Sequence, residues 1–219
     1  MSNGGFKQEL FIQFARVRKA LSNGNRLELL EFIAQGERSV DELAKVSGLS
    51  VANTSQHLQQ LRQAGLIVNS KRGLKVFYRL SSNDVLGLFD SLRHVAETNL
   101  ADVQRLVDTY LTVKDNLEPI PAAELLERVR DDLVTVLDVR PATEYQSGHV
   151  PGAINVPLDQ LEAYLEKLDK KQEVFAYCRG PHCILAFDAV AKLRDSGFNA
   201  RRLEDGFPEW KMAGLPIET

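Results

Sequence analysis

The 219-residue chain is 44% hydrophobic and 26% charged with a net charge of −3, a profile that fits one large globular domain or two of about 100 residues. No window approaches the roughly 20 apolar residues that span a bilayer, the first residues carry no secretory pattern, and two cysteines are too few for a secreted disulfide framework. A cytoplasmic protein with no membrane partner is expected. Charge is divided unevenly: residues 38–80 hold seven Lys and Arg against two Asp and Glu, whereas residues 114–219 hold 13 against 19. This points to a nucleic-acid-facing front half and an acidic rear half.

Apolar residues at 6, 10, 11, 14, 17 and 20 predict a first helix over 6–20. Ser22-Asn23-Gly24-Asn25 interrupts it and caps a second helix, from Arg26 to about Gln35, which Gly36 ends. Ser39 stands three residues before Glu42, the spacing of a capping box, ahead of a third helix through Leu43–Val46. Gly48 then turns the chain, Ser50 caps a fourth helix running to about Ala64, and Gly65 stops it. Two short helices around a glycine turn form a helix-turn-helix pattern. With Val51, Leu58 and Leu61 as the apolar positions of the second one, Asn53, Ser55, Gln56 and Gln59 project elsewhere, as hydroxyl and amide groups suited to base edges in a major groove. Strands at 66–68 and 76–80 flank a basic tip carrying Lys71, Arg72 and Lys75, a wing placed to meet phosphates.

The stretch GNRLELLEFIA, SVDELAKVSGLSVANTSQHLQQLRQAGLI and GLKVFYRL resembles the winged-helix repressors of the ArsR/SmtB family over about residues 8–112. That resemblance implies a homodimer built from the first and last helices, binding double-stranded operator DNA through a recognition helix at about 50–64. His57 matches a histidine common in the family, with a positioning, phosphate-contacting or purely structural role. The DNA-facing set is therefore Ser50, Asn53, Ser55, Gln56, His57, Gln59, Lys71, Arg72 and Lys75. Metal-sensing relatives place cysteines in the helix matching Val40–Val46; this chain has none there, so thiolate metal sensing at that site is not expected. His94 with Asp90 fits a solvated helix face better than a metal site.

From Ser82 to about Leu111 a single long helix is predicted, too apolar for isolation and suited to packing on a partner subunit. The charges and two prolines that follow suggest a linker at 113–119 between a DNA-binding and dimerisation domain, 1–112, and a second domain, 120–219. That second half alternates helix and strand: helix 122–130, strand 133–138, an extended piece at 153–155, helix 158–168, strand 174–176, a helix to Asp195, a strand at 200–203 and a short helix at 208–212. Such alternation predicts an α/β fold with a mainly parallel sheet covered on both faces, its site on loops at the carboxyl ends of the strands.

Both cysteines lie in one such loop, Tyr177-Cys178-Arg179-Gly180-Pro181-His182-Cys183. A cysteine between a strand and a helix start faces backbone N–H groups that favour a thiolate, the alternative being a structural disulfide or two inert buried thiols. Backbone N–H groups from Arg179 to Cys183 are expected to converge on a sulfur bound to Cys178, with Arg179 adding positive charge for an anionic donor or pointing to solvent. The blocks LDVRPATEYQSGHVPGAINVP, YCRGPHC and EDGFPEWKMAGLP resemble a single rhodanese domain over about 118–219. The resemblance implies that Cys178 takes up sulfane sulfur as a persulfide, within a catalytic loop of Cys178, Arg179, Gly180, Pro181, His182 and Cys183. It also implies that Asp138, Arg140, Glu144 and His149 brace the site, with Trp210 and Pro216 as packing residues. Where rhodaneses often carry a basic or hydroxyl residue at the loop's last position, this chain has Cys183, a second thiol able to resolve a modified Cys178 into a disulfide. Sulfur donor and acceptor small molecules are the expected partners of this half, and neither a cofactor nor a metal is expected. Three readings stand: a regulator that senses or transfers reactive sulfur through a Cys178 persulfide, a sulfurtransferase that the winged helix tethers or dimerises, and a regulator whose rhodanese module is an idle interaction domain.

Overall fold

The computed structural model describes residues 3–115, 117–131 and 134–219. They divide into two compact units, Met1–Phe89 and Asp90–Thr219.

The first unit opens with α1 (Asn3–Leu21) and α2 (Gly24–Ala34), the latter capped by the Asn23 side chain accepting from the Arg26 N–H. A two-residue strand, β1 (Arg38–Ser39), was too short to carry a sequence pattern. It precedes α3 (Val40–Ser47), whose capping box between Ser39 and Glu42 forms as the spacing requires. Gly48 ends α3 in the left-handed region, where a side chain would be strained, and so sets the turn into α4 (Val51–Gln63). The strands β2 (Ile67–Arg72) and β3 (Lys75–Leu80) form the antiparallel wing, with β1 added outside β3. Leu29, Leu43, Leu58, Leu61 and Ile67, each at most 1% exposed, form the core.

One detail of α4 corrects the sequence reading. Val51 is 52% exposed, and the buried stripe is instead Thr54, Leu58 and Leu61. Thr54 lies one turn before Leu58, and its hydroxyl donates to the Ser50 carbonyl at 3.0 Å, so burial leaves that group satisfied.

The predicted long helix is also interrupted. It forms as α5 (Asp84–Asn99) and α6 (Ala101–Val107), which runs into a π-helical turn at Asp108–Thr112. Leu100 between them has an extended backbone. The Asn99 amide donates to the Val95 carbonyl at 2.8 Å, a local side-chain bond that competes with continuing the helix. The boundary between the compact units falls within α5, so the segment expected as a linker at 113–119 lies inside the second unit; its residue 116 lies outside the described residues. Asp115 is 5% exposed and pairs with Arg194 at 2.8 Å and Arg202 at 3.2 Å, which fastens this stretch to the α/β layers.

In the second unit α7 (Ala122–Arg130) leads to β4 (Val134–Asp138); the expected strand start at residue 133 lies outside the described residues. Then come α8 (Ala142–Tyr145), β5 (Ile154–Asn155), α9 (Leu161–Tyr164) between two 3-10 turns, β6 (Glu173–Tyr177), α10 (Ile184–Asp195), β7 (Ala200–Arg202) and α11 (Phe207–Met212). The four strands form a parallel sheet in the order β5-β4-β6-β7. Alternation along β6 feeds two cores: Val174, Ala176 and Cys178 face α10, while Phe175 and Tyr177 join Leu125, Phe207 and Trp210 on the other side. Cys178 thus emerges at the carboxyl end of a central strand.

Candidate functional sites

The face of α4 carries Ser50, Asn53, Gln56 and Gln59 exposed, with Ser55 and His57 half-buried. The Ser50 hydroxyl is engaged as the N-cap, accepting from the Asn53 N–H at 3.2 Å. His57 Nδ1 is buried without a hydrogen-bond partner among the described residues. On the wing, Lys71, Arg72 and Lys75 are exposed around Gly73, whose left-handed backbone closes the hairpin. Arg72 is not a free cation: it pairs with Glu37 and lies 5.0 Å from the centroid of the Phe77 ring. The sequence reading missed Arg26, which is buried behind α4, donating to the Lys19 carbonyl at 2.9 Å and to Gln60 Oε1 at 2.7 Å. It ties the carbonyl end of α1 to α4, and nothing in the local pattern announces a contact across 34 residues.

The second site begins with a buried ion pair. Asp138 ends β4, and both it and Arg140 are 0% exposed. Asp138 accepts from the Arg140 backbone N–H and Nε at 3.0 Å and from the Tyr177 hydroxyl at 2.6 Å. Arg140 donates onward to the Gly148 carbonyl at 2.8 Å and lies 4.3 Å from the centroid of the Phe207 ring. Burial, reinforced by the charge of Asp138, pushes the Tyr177 hydroxyl well above its usual pKa, which keeps it a donor. His149 stacks on Tyr145 at 3.7 Å between centroids, and its Nδ1 meets the Tyr145 carbonyl at 3.1 Å.

Cys178 follows directly on Tyr177 and is 1% exposed; it is joined to Cys183 in a disulfide, with Cα atoms 6.0 Å apart. That separation lies in the usual range for such a bond. Arg179 is turned into the protein, its side chain 14% exposed. It forms a two-pronged pair with Glu144, at 3.0 Å to each oxygen from Nε and 2.8 Å from Nη2, and the Glu144 side chain is fully buried. The expected ring of N–H donors is also narrower than the spacing implied. Pro181 has no N–H to give, and the Cys183 N–H is spent on the Gly180 carbonyl at 3.1 Å. Cys183 itself is the N-cap residue of α10.

The segment 204–209 closes the site from behind. Phe207 donates its N–H to the Cys178 carbonyl at 3.1 Å. Gly206 lies so close to the Arg179–Gly180 peptide that any Cβ would collide with Gly180 N and with the Arg179 carbonyl group. The Gly206 N–H donates to Glu209 Oε2 at 3.1 Å, and Glu209 Oε1 receives Arg93 Nη1 at 3.1 Å. Burial raises the Glu209 carboxyl above its usual pKa, with Arg93 opposing. His182 Nε2 stands 3.4 Å from Glu97 Oε1, and burial draws the imidazole below its ordinary value while Glu97 opposes. Arg93, Glu97 and Glu209 were invisible as site residues because each is an ordinary surface charge in the sequence pattern. Among the described residues no group of three or more His, Cys, Asp and Glu is arranged to hold a metal ion, and no helix is long and apolar enough to cross a membrane.

Residues 23–68 match the arsR family of bacterial regulatory proteins, and residues 121–213 match the rhodanese-like domain. The HTH-type transcriptional regulator Rv0324 of Mycobacterium tuberculosis is 43% identical over 212 residues, covering 97% of this chain and 93% of that protein. Thiosulfate sulfurtransferase GlpE of Coxiella burnetii is 32% identical over 89 residues, 40% of this chain and 81% of that one. Among solved structures, a homodimeric winged helix-turn-helix DNA-binding domain from Mycobacterium bovis is 40% identical over 44% of this chain and 89% of its own, with a TM-score of 0.42.

Proposed function

The chain belongs to the arsR family of bacterial regulatory proteins and joins that module to a rhodanese-like domain, and from this premise we propose that the Cys178–Cys183 loop senses reactive sulfur and sets operator affinity. The single observation that carries the reading is the reach of Cys183 to Cys178 across the loop, at a Cα separation of 6.0 Å. It gives Cys178 a resolving thiol within its own loop.

The chemistry balances without a further oxidant. The Cys178 thiolate attacks the outer sulfur of a hydropersulfide or polysulfide, forming a new S–S bond while the donor leaves as its thiolate. Cys183 thiolate then attacks Cys178 Sγ, the Cys178–Cys183 bond forms, and hydrosulfide departs. Two thiols are oxidised and one sulfane sulfur is reduced to sulfide. The pairing of Arg179 with Glu144 favours this switch over repeated transfer from an anionic donor, since that guanidinium is already occupied.

The output surface is the face of α4 with the wing, bound to double-stranded operator DNA. A homodimer is supported by α1, where Phe6, Phe11 and Phe14 are 63%, 57% and 58% exposed, an apolar face that a second copy would cover. Intact-mass spectrometry of the reduced full chain after polysulfide treatment tests the proposal. The expected sequence is a gain of one sulfur atom in Cys183→Ser, and in the wild type a loss of two hydrogens with release of sulfide. No mass change in either protein would refute it.

A further inference from the structure

Arg93 and Glu97 lie four residues apart on α5, hence on one face, and both belong to the second unit. From that face two contacts reach the cysteine loop. Glu97 Oε1 stands 3.4 Å from His182 Nε2, a contact without a hydrogen bond, and His182 lies between the two cysteines in sequence. Arg93 meets it through Glu209, whose other oxygen holds the Gly206 N–H; Gly206 is pressed against the Arg179–Gly180 peptide, and Phe207 next to it binds the Cys178 carbonyl. Arg93 also pairs with Asp90, and its Nε lies 3.5 Å from Glu97, so the two side chains form one unit on the helix. Only 19% of the Arg93 side chain and 14% of the Glu209 side chain are exposed, which sets this pairing apart from a solvated surface bridge.

Neither Arg93 nor Glu97 falls within residues 121–213, the stretch that matches the rhodanese-like domain, nor within 23–68. The loop is therefore held by a helix that neither matched module contains. That helix starts at Asp84, on the far side of the boundary at residues 89 and 90. We infer that Arg93 and Glu97 are positioning residues for the Cys178 loop, and that α5 is the element on which a change in the loop is registered.

The mechanical reason is local. Separating Cys183 from Cys178 changes the span that contains His182, and the Arg179–Gly180 peptide that follows Cys178 lies against Gly206 with no room for a Cβ between them. A shift at either place bears on α5, at Glu97 or through Glu209 and Arg93. The regulatory meaning rests on the sulfur-sensing reading above; the positioning role does not.

The test uses the full chain in a Cys183→Ser background, where Cys178 is the sole thiol, and follows its alkylation by iodoacetamide across pH. Arg93→Gln is expected to raise the alkylation rate about tenfold and to shift the pH midpoint, and Arg93→Lys to restore most of both. Equal rates and midpoints in Arg93→Gln and its parent overturn the inference. Should Arg93→Gln fail to fold by circular dichroism, Glu97→Gln carries the same two readouts, and unchanged values there overturn it. Failure of the sulfur reading looks different: polysulfide adds no mass in any variant, while Cys178 alkylation still depends on Arg93.

Discussion

On α4 and the wing, Asn53, Gln56, Gln59, Lys71 and Lys75 stand exposed on elements anchored from behind by Leu58, Leu61 and Tyr78. In the cysteine loop the polar groups are instead engaged inside the protein: Arg179 by Glu144, the Cys178 carbonyl by Phe207, and the Cys183 N–H by Gly180. The first arrangement suits a large ligand that supplies its own hydrogen-bond partners, as a duplex does. The second suits a ligand as small as one sulfur atom, for which the protein must hold the reacting groups in place beforehand. Substitutions at the two sites should accordingly act in different ways, one set weakening binding and the other lowering stability or changing the reactivity of the cysteines.

The largest effect is expected at Arg140. Arg140→Ala strands the Asp138 carboxylate, 0% exposed, and should cost the second unit about 3–5 kcal/mol. Urea unfolding followed by fluorescence reads this directly, because the one tryptophan, Trp210, is buried in that unit. Next comes Gly206→Ala, where the added methyl meets loop backbone that has no flexible end to give way. A loss of about 1–3 kcal/mol by the same assay is expected, together with faster reduction of the disulfide by dithiothreitol. At the other site, Asn53→Ala and Gln56→Ala should each weaken operator binding by about 1–3 kcal/mol while leaving the Trp210 unfolding curve unchanged. Lys71→Gln and Lys75→Gln should each lower the salt slope of operator binding by about one. A shift of the Trp210 curve by any of these four would break the comparison.

The smallest effect concerns Glu42. The backbone N–H and hydroxyl of Ser39 hold its carboxyl below the usual value. Because the folded pKa is the lower one, the stabilisation is complete above the ordinary carboxylate range and is lost as pH falls through the lowered value. Glu42→Gln should cost at most about 0.5 kcal/mol at neutral pH, because the carboxylate is exposed and screened by solvent, with the difference from wild type shrinking in acid, as read from urea midpoints by circular dichroism.

Much of this was legible because local rules dominate where the chain is local. Ser39 with Glu42, Gly48 and Ser50 each act within a few residues, and all three features stand where their spacing put them. The parallel sheet followed from alternation along the rear half, and the loop at the end of β6 from its cysteines. What escaped depends on long-range pairing. Asp115 reads as a linker charge until Arg194 and Arg202 close on it, and Arg179 reads as a free cation until Glu144, 35 residues earlier, takes it up. The break at Leu100 was hidden by apolar residues whose period continues through it.

Operator affinity of the full chain before and after polysulfide treatment, in the wild type and in Cys178→Ser, tests the central claim most directly. A change of about tenfold is expected in the wild type, reversed by dithiothreitol, and none in Cys178→Ser. An unchanged affinity in the wild type, or an equal change in Cys178→Ser, would contradict it.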